Sequence, residues 1–156
     1  MHAEVSHFGT STIRIRFGPL AGSAEFDPQA QTGRVDLRIA TAAASTGLPV
    51  FDGRLREADL LDSAGQPEAF FVAQRFVFAG RELREVRGEF TLRGTSLPLA
   101  LTVQRFACYT SPLLQREVCG GDFVAEIERG AYGITIGRPR VGDKVRLQIQ
   151  VEAIRQ

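Results

Sequence analysis

The side chains in this sequence that could do chemistry are few, and their spacing argues against catalysis. His2 and His7 are its only histidines, and both lie at one end of the chain. A serine nucleophile needs a histidine within hydrogen-bond reach and an acid behind it. Serines and aspartates are plentiful, but no Gly-x-Ser-x-Gly turn is present to raise a serine above a sheet. A zinc ion needs three or four ligands at recognisable spacing, which two histidines with Cys108 and Cys119 do not supply. Gly120-Gly121 precedes a strand pattern and not a helix, so neither a phosphate loop nor a dinucleotide fingerprint occurs. The sequence predicts no catalytic residue, no metal ligand and no cofactor, and His7 reads as a hydrogen-bonded structural residue of a strand.

The cysteines are the other reactive pair. Cys108 and Cys119 flank a short segment from Tyr109 to Val118 and are followed by Gly120-Gly121. In an oxidising compartment they would staple that loop and stabilise the fold by roughly 2 to 3 kcal/mol. In a reducing one they would be two thiols in a hairpin. Both readings stay open on spacing alone.

Composition narrows the partners. The 156 residues are 44% hydrophobic and 24% charged, with a formal net charge of +1, so no field exists that would gather phosphates. Nucleic acid is not an expected partner. No window is apolar for long enough to cross a bilayer, so no membrane span is expected, and the first residues have neither the basic end nor the apolar stretch of a signal peptide. Lys144 is the only lysine, which fits a coding bias as well as any function.

The elements that would position a site are mostly strands. Val35, Leu37 and Ile39 alternate with Arg34, Asp36 and Arg38; Ile13, Ile15 and Phe17 alternate with Arg14 and Arg16; and Val145, Leu147, Ile149, Val151 and Ala153 alternate with polar residues over a long C-terminal run. Further strands are read at about 21 to 27, 70 to 78, 83 to 93, 97 to 106 and 122 to 129, with turns at Asp27-Pro28, Ala79-Gly80, Gly94-Thr95 and Gly120-Gly121. This makes an all-β chain of roughly eight or nine antiparallel strands in a single domain over residues 1–156. One segment departs from the pattern. From Phe51 to Asp62, Phe51, Leu55 and Leu61 or Ala58 recur at helical spacing, and residues 42 to 50 read as the loop leading in. Alternation leaves a two-sheet sandwich and an up-and-down barrel as the architectures.

Several segments, taken in order, resemble the YceI family, lipocalin-like barrels found mostly in the periplasm of Gram-negative bacteria. They are His7-Phe8-Gly9 with Ser11 and Phe17; Gly22 with Phe26-Asp27-Pro28; Ser45-Thr46-Gly47 with Phe51-Asp52-Gly53-Arg54-Leu55-Arg56 and Asp59-Leu60-Leu61-Asp62; Val86 to Gly94 with Pro98-Leu99; Ile127-Glu128-Arg129 with Tyr132-Gly133-Ile134; and Val141 to Val145. The resemblance runs from residue 5 to 154 and implies a lipocalin-like up-and-down barrel, a periplasmic location and a ubiquinone-like or polyisoprenoid ligand. Two departures matter. The chain starts inside the first strand, at about His2 to His7, where the family has further residues upstream, so a shortened first strand is expected. Arg54 stands where the insertion commonly carries a histidine, so no metal role is transferred.

In a barrel of about eight strands the inward residues either fill the interior or leave room for one slender ligand. Alternation places Ile15, Phe17, Leu37, Ile39, Val72 and Phe76 inward. It does the same for Phe90, Leu92, Leu99, Leu101, Phe123 and Ile127, and for Leu147, Ile149 and Val151, while Phe51 and Leu55 of the insertion cover one end. This lining is apolar and offers nothing to orient a polar substrate, so the expected function is burial of an isoprenoid lipid without chemistry; a filled core that serves as a scaffold is the alternative. Arg129 ends the apolar row of Phe123, Ala125 and Ile127 and needs a partner if buried. Asp52 or Asp59 is its expected partner, and it is a gate near a lipid head group, a pin between the helix and the barrel rim, or a side chain that points to solvent. A homodimer through an edge strand is the expected assembly if the first strand is short.

Overall fold

The alternating runs form strands that all join one sheet. The computed structural model describes residues 1–156. Its strands are β1 (His2–His7), β2 (Ser11–Arg16), β3 (Leu20–Asp27), β4 (Thr32–Ala40), β5 (Glu68–Ala79), β6 (Glu82–Leu92), β7 (Thr95–Thr110), β8 (Glu117–Glu128) and β9 (Val141–Ile154). Every pairing is antiparallel, in the order β2-β1-β9-β8-β7-β6-β5-β4-β3. This is an up-and-down sheet curled into a half-barrel. The first and last strands pair, and the break falls between β2 and β3, which do not bond to each other.

The break is wider at one end. β9 pairs with β8 as far as Ile154, but with β1 only as far as Gln148. The stretch Ile149–Ile154 therefore has a neighbour on one side only, and a lateral window opens between it and β3. The first strand, β1, has six residues, as many as β2.

Bulges in β5, β6 and β7 set which side chains face inward, and a further register shift falls between Val5 and His7 where β1 meets β9. In β5 the register steps from Ala73 opposite Gly88 to Arg75 opposite Arg87, so Gln74 is an extra residue and the alternation flips. Ala69, Phe71 and Ala73 are buried before the bulge, and Phe76 and Phe78 turn inward after it. The expected inward position of Val72 is thus overturned: it is 39% exposed, on the outer face with Phe70. Similar shifts occur in β6 before Glu85 and in β7 between Val103 and Arg105.

At one end of the barrel Phe26 packs against Phe76, Phe78 and Phe106, with ring centroids 6.0, 6.2 and 5.0 Å apart. Gly33 lies under this cluster; a Cβ there would come within 2.6 Å of the Phe76 ring. The cluster forms the floor. The opposite end is covered by α1 (Pro49–Leu55) and by the segment between β8 and β9. Pro49 begins the helix with its preset φ, and Asp52 lies in the first turn, where a negative charge is favoured. The helix is shorter than the spacing suggests, for it ends at Leu55, and Ala58 and Leu61 follow in turns. Seven residues are too few to hold a helix alone. Side-chain bonds hold this one through Asp52, which accepts from Ser45 and Thr46, while Arg93 Nη1, from the β6–β7 turn, fastens the turns after it by donating to the Ala58 and Leu60 carbonyls at 2.6 Å each. That turn, Arg93-Gly94, has φ values of 53° and 73°, the left-handed pair that a tight hairpin needs.

Cys108 and Cys119 sit directly opposite each other on β7 and β8 and form a disulfide, which resolves the choice between bridge and thiols. Replacing both with serine is expected to lower stability by roughly 2 to 3 kcal/mol, because the closed loop is short and the bridge acts on the unfolded chain. Urea unfolding would show it as a lower midpoint with intact cooperativity; an unchanged midpoint would mean that the hairpin stays paired without the bridge.

Candidate functional site

The space inside the half-barrel is divided into three neighbouring parts that share wall residues. Beneath α1 lies a cavity of about 360 Å³, lined by 25 residues of which 20 are hydrophobic. Below it is a neck of about 20 Å³ walled by apolar side chains alone. The neck leads to the lateral window between β3 and β9, a space of about 1030 Å³. Met1 borders all three; Ile39, Phe90 and Leu147 are shared by cavity and neck, and Leu20, Leu37 and Ile149 by neck and window.

Most of the residues expected to line the lumen do so. Ile15, Phe17, Ile39, Phe51 and Leu55 wall the upper cavity, facing Phe90, Leu92, Ile127, Arg129 and Leu147. Leu37, Leu99, Leu101 and Ile149 wall the neck, and Phe123 and Val151 border the window. Two expected residues lie elsewhere. Val72 faces out, as described, and Phe76 belongs to the aromatic floor.

Other lining residues escaped the sequence reading. Ala3 and Val5 alternate within β1, and Val145 continues the row of Leu147 and Ile149, so period two would have found all three. Phe71 was displaced from the expected list by the β5 bulge. Ile134 and Ile136 lie in an irregular connector where no periodicity exists to find them.

The polar groups in the cavity wall are largely committed to the protein itself. The Thr41 hydroxyl lies 3.0 Å from the carbonyls of both Gln66 and Pro67. Arg54 donates a fork to Asp59 at 2.5 and 2.6 Å. Arg129 is only 6% exposed, and its guanidinium donates to four backbone carbonyls: Gly142 at 2.7 Å, Ile134 at 3.0 Å, Ile136 at 2.9 Å and Val141 at 2.9 Å. Burial first, and then Arg138, push its pKa below the ordinary arginine value, with Asp143 opposing them. The expected pairing with Asp52 or Asp59 is overturned. Asp59 serves Arg54, and Asp52 accepts from the Ser45 hydroxyl at 2.9 Å and from the Thr46 N–H and hydroxyl at 2.6 and 2.8 Å. Arg129 is therefore neither gate nor helix pin; it gathers the connector between β8 and β9. His7, at the mouth, makes no side-chain hydrogen bond and packs edge-on against Phe8 at 4.6 Å.

Asp52 fastens the incoming loop to α1, and the Thr46 backbone and hydroxyl bonds hold its carboxyl below the usual aspartate range. A depressed folded-state pKa gives stability that is present above the unfolded value of about 4 and is lost as pH falls through the folded one. Asp52→Asn is expected to lower the melting temperature at pH 6 and to match the unmodified protein near pH 2. Parallel curves at all pH values would show that the carboxylate contributes nothing to holding the mouth.

No group of three or more His, Cys, Asp or Glu is close enough to hold a metal ion, and no helix is long and apolar enough to cross a membrane.

Comparison with known proteins adds the family. The model of the YceI-like domain matches residues 1–153. A UPF0312 protein of Shewanella sp. (strain ANA-3) is 30% identical over 99 residues, covering 63% of this chain and 52% of that protein. One from Vibrio parahaemolyticus is 28% identical over 102 residues, covering 65% and 54%. The aligned part thus spans about half the length of the curated relatives it matches. Among solved structures, a YceI protein of Campylobacter jejuni is similar with a TM-score of 0.81 at 20% identity, covering 97% of this chain and 90% of that one. Burkholderia cenocepacia BcnA gives 0.79 at 21%, covering 97% and 94%. A polyisoprenoid binding domain from Saccharophagus degradans gives 0.68 at 16%, covering 97% and 90%. At these identities the structures bear on fold alone.

Proposed function

This chain belongs to the YceI-like domain family, and on that premise we propose that it holds a long isoprenoid chain in its lumen and carries it without chemical change. The observation that carries this reading is the upper cavity: apolar, adjoining the neck, and with its buried polar groups already bonded to the protein. Nothing deep in it can orient or activate a polar substrate. An apolar tail, by contrast, gains roughly 3 to 4 kcal/mol of transfer free energy for each five-carbon unit buried, set against the cost of immobilising it. Its polar head would rest at the mouth beside His7 and Arg54. The likeness to a domain described as polyisoprenoid binding supports this choice of ligand. The disulfide and the family support a periplasmic location. The whole chain acts as one unit in this reading.

Native mass spectrometry of protein purified from cells, followed by organic extraction, tests the proposal. A co-purifying mass that releases a polyprenyl or quinone species supports it, and a bare protein mass that stays bare after incubation with polyprenol overturns it. The same spectrum reads the assembly, since the unpaired edges of β2, β3 and Ile149–Ile154 are where two copies would pair.

A further inference from the structure

The apolar residues that the sheet does not bury are gathered mainly at two places. One is the tip of the β7–β8 hairpin, where Leu113 is 88% exposed beside Leu114 and Tyr109. The other surrounds the mouth of the upper cavity. There Val50 is 86% exposed on α1, with Leu48 and Phe51 beside it, Ile136 on the connector across the mouth, and Phe8 on the β1–β2 turn. Phe8 is tied to that connector, since its N–H donates to the Arg140 carbonyl at 2.6 Å, and the Arg140 guanidinium lies 6.0 Å from its ring.

The two patches differ in what lies behind them. The hairpin residues wall none of the three spaces described above, whereas Phe51 and Ile136 are half exposed and also wall the upper cavity. The outer apolar surface at the mouth therefore meets the cavity wall at Phe51 and Ile136. A protruding aliphatic and aromatic rim around an apolar opening is costly in water, and it matches the boundary between lipid headgroups and acyl chains. Charge plays a smaller part than apolar area. Arg54 is paired with Asp59 and Glu57, and Arg138 with Asp143, which leaves Arg56 at the end of α1 and Arg140 beside Phe8 as exposed arginines with no carboxylate partner, able to meet lipid phosphates but too few to demand an anionic surface.

We propose that this rim, centred on Leu48, Val50 and Phe51, is a membrane-docking surface that seats the mouth of the lumen on a phospholipid bilayer. The ligand assignment on which it builds is the one proposed above; the docking itself depends only on the rim. Once seated, a tail could pass from the acyl layer into the cavity without crossing water, and α1 would be the element that meets the membrane.

Flotation with phosphatidylcholine vesicles tests the docking. The unmodified protein should float with the vesicles, and Val50→Asp should lower the partition about tenfold, because Val50 is exposed and its loss removes apolar area while adding a charge at the interface. Adding salt should weaken the partition far less than Val50→Asp does, because Arg56 and Arg140 are the exposed unpaired charges at the rim that it would screen. Val50 is not part of the cavity wall, so binding of farnesol in solution, without vesicles, should be the same in both proteins. Equal flotation of the two proteins, or loss of flotation in Leu113→Asp with Val50→Asp unaffected, would overturn the proposal. Failure of both proteins to bind farnesol, with flotation still lost in Val50→Asp, would instead sink the lumen assignment and leave the docking surface standing.

Discussion

Replacing Arg129 with methionine is expected to cost about 3 to 5 kcal/mol of stability, the largest effect of any single substitution away from the strands. The reasoning starts from the four carbonyls. Ile134 and Ile136 belong to a connector with little regular structure, and Val141 and Gly142 open β9; the carbonyls of all four accept from a side chain that is almost wholly buried. Methionine fills similar space but donates nothing, so each buried carbonyl either keeps its desolvation penalty or draws the connector outward to reach water. Arg129→Lys keeps the charge but replaces a planar fork with a single point, which cannot span four acceptors; it should recover less than half of the loss. Because Ile134, Ile136 and Val141 wall the cavity, the same variants should open the mouth and weaken tail binding. Urea unfolding provides the measurement, and a loss below about 1 kcal/mol for methionine would mean that water or the connector itself satisfies the carbonyls.

The contrast between Arg129 and the strand residues shows what was legible in the sequence. Where one face of a strand is buried and the other wet, period two writes the burial directly, and Leu37, Ile39, Leu147 and Ile149 were readable from it. Where a bulge inserts a residue, the same rule carries the wrong parity forward. Val72 and Phe76 have the same parity in sequence, yet only Phe76 faces inward, because Gln74 lies between them. The partner of Arg129 was not legible for a different reason. A buried guanidinium suggests a carboxylate, but a rigid donor fork is equally well satisfied by converging backbone carbonyls, and nothing in the side-chain sequence records which way a carbonyl points. The length of α1 failed similarly: spacing past Leu55 fits a helix, but bonds from Arg93 to the Ala58 and Leu60 carbonyls accompany a turn instead. The window between β3 and β9 depends on where two pairings stop along β9, and alternation carries no such signal.

Replacing Ala69 with phenylalanine is expected to abolish uptake of a polyprenyl tail while leaving a cooperatively folded barrel. Ala69 is 3% exposed, pairs with Ile39 across the β4–β5 ladder and borders the cavity of about 360 Å³. An aromatic ring there occupies space that the tail would use. The carrier and the filled-core scaffold predict opposite signs for the stability of the empty protein. In a filled core, overpacking forces neighbours off their rotamers and costs about 1 to 3 kcal/mol. In an open lumen the ring enters space that no side chain occupies, gains dispersion contacts, and leaves stability unchanged or raised. Tail binding should fall more than tenfold in the second case, whereas the first has no binding to lose. Leu101→Asp and Ile149→Asp approach the same question by placing a charge in the neck, but an unpaired carboxylate there threatens the fold itself, so loss of binding would be ambiguous. Ala69→Phe avoids that ambiguity because it adds only apolar atoms. A variant that is as stable as the unmodified protein and no longer binds tail would identify the cavity as the binding space; one that is stable and still binds would place the tail in the window between β3 and β9, reached past the neck and not beneath α1.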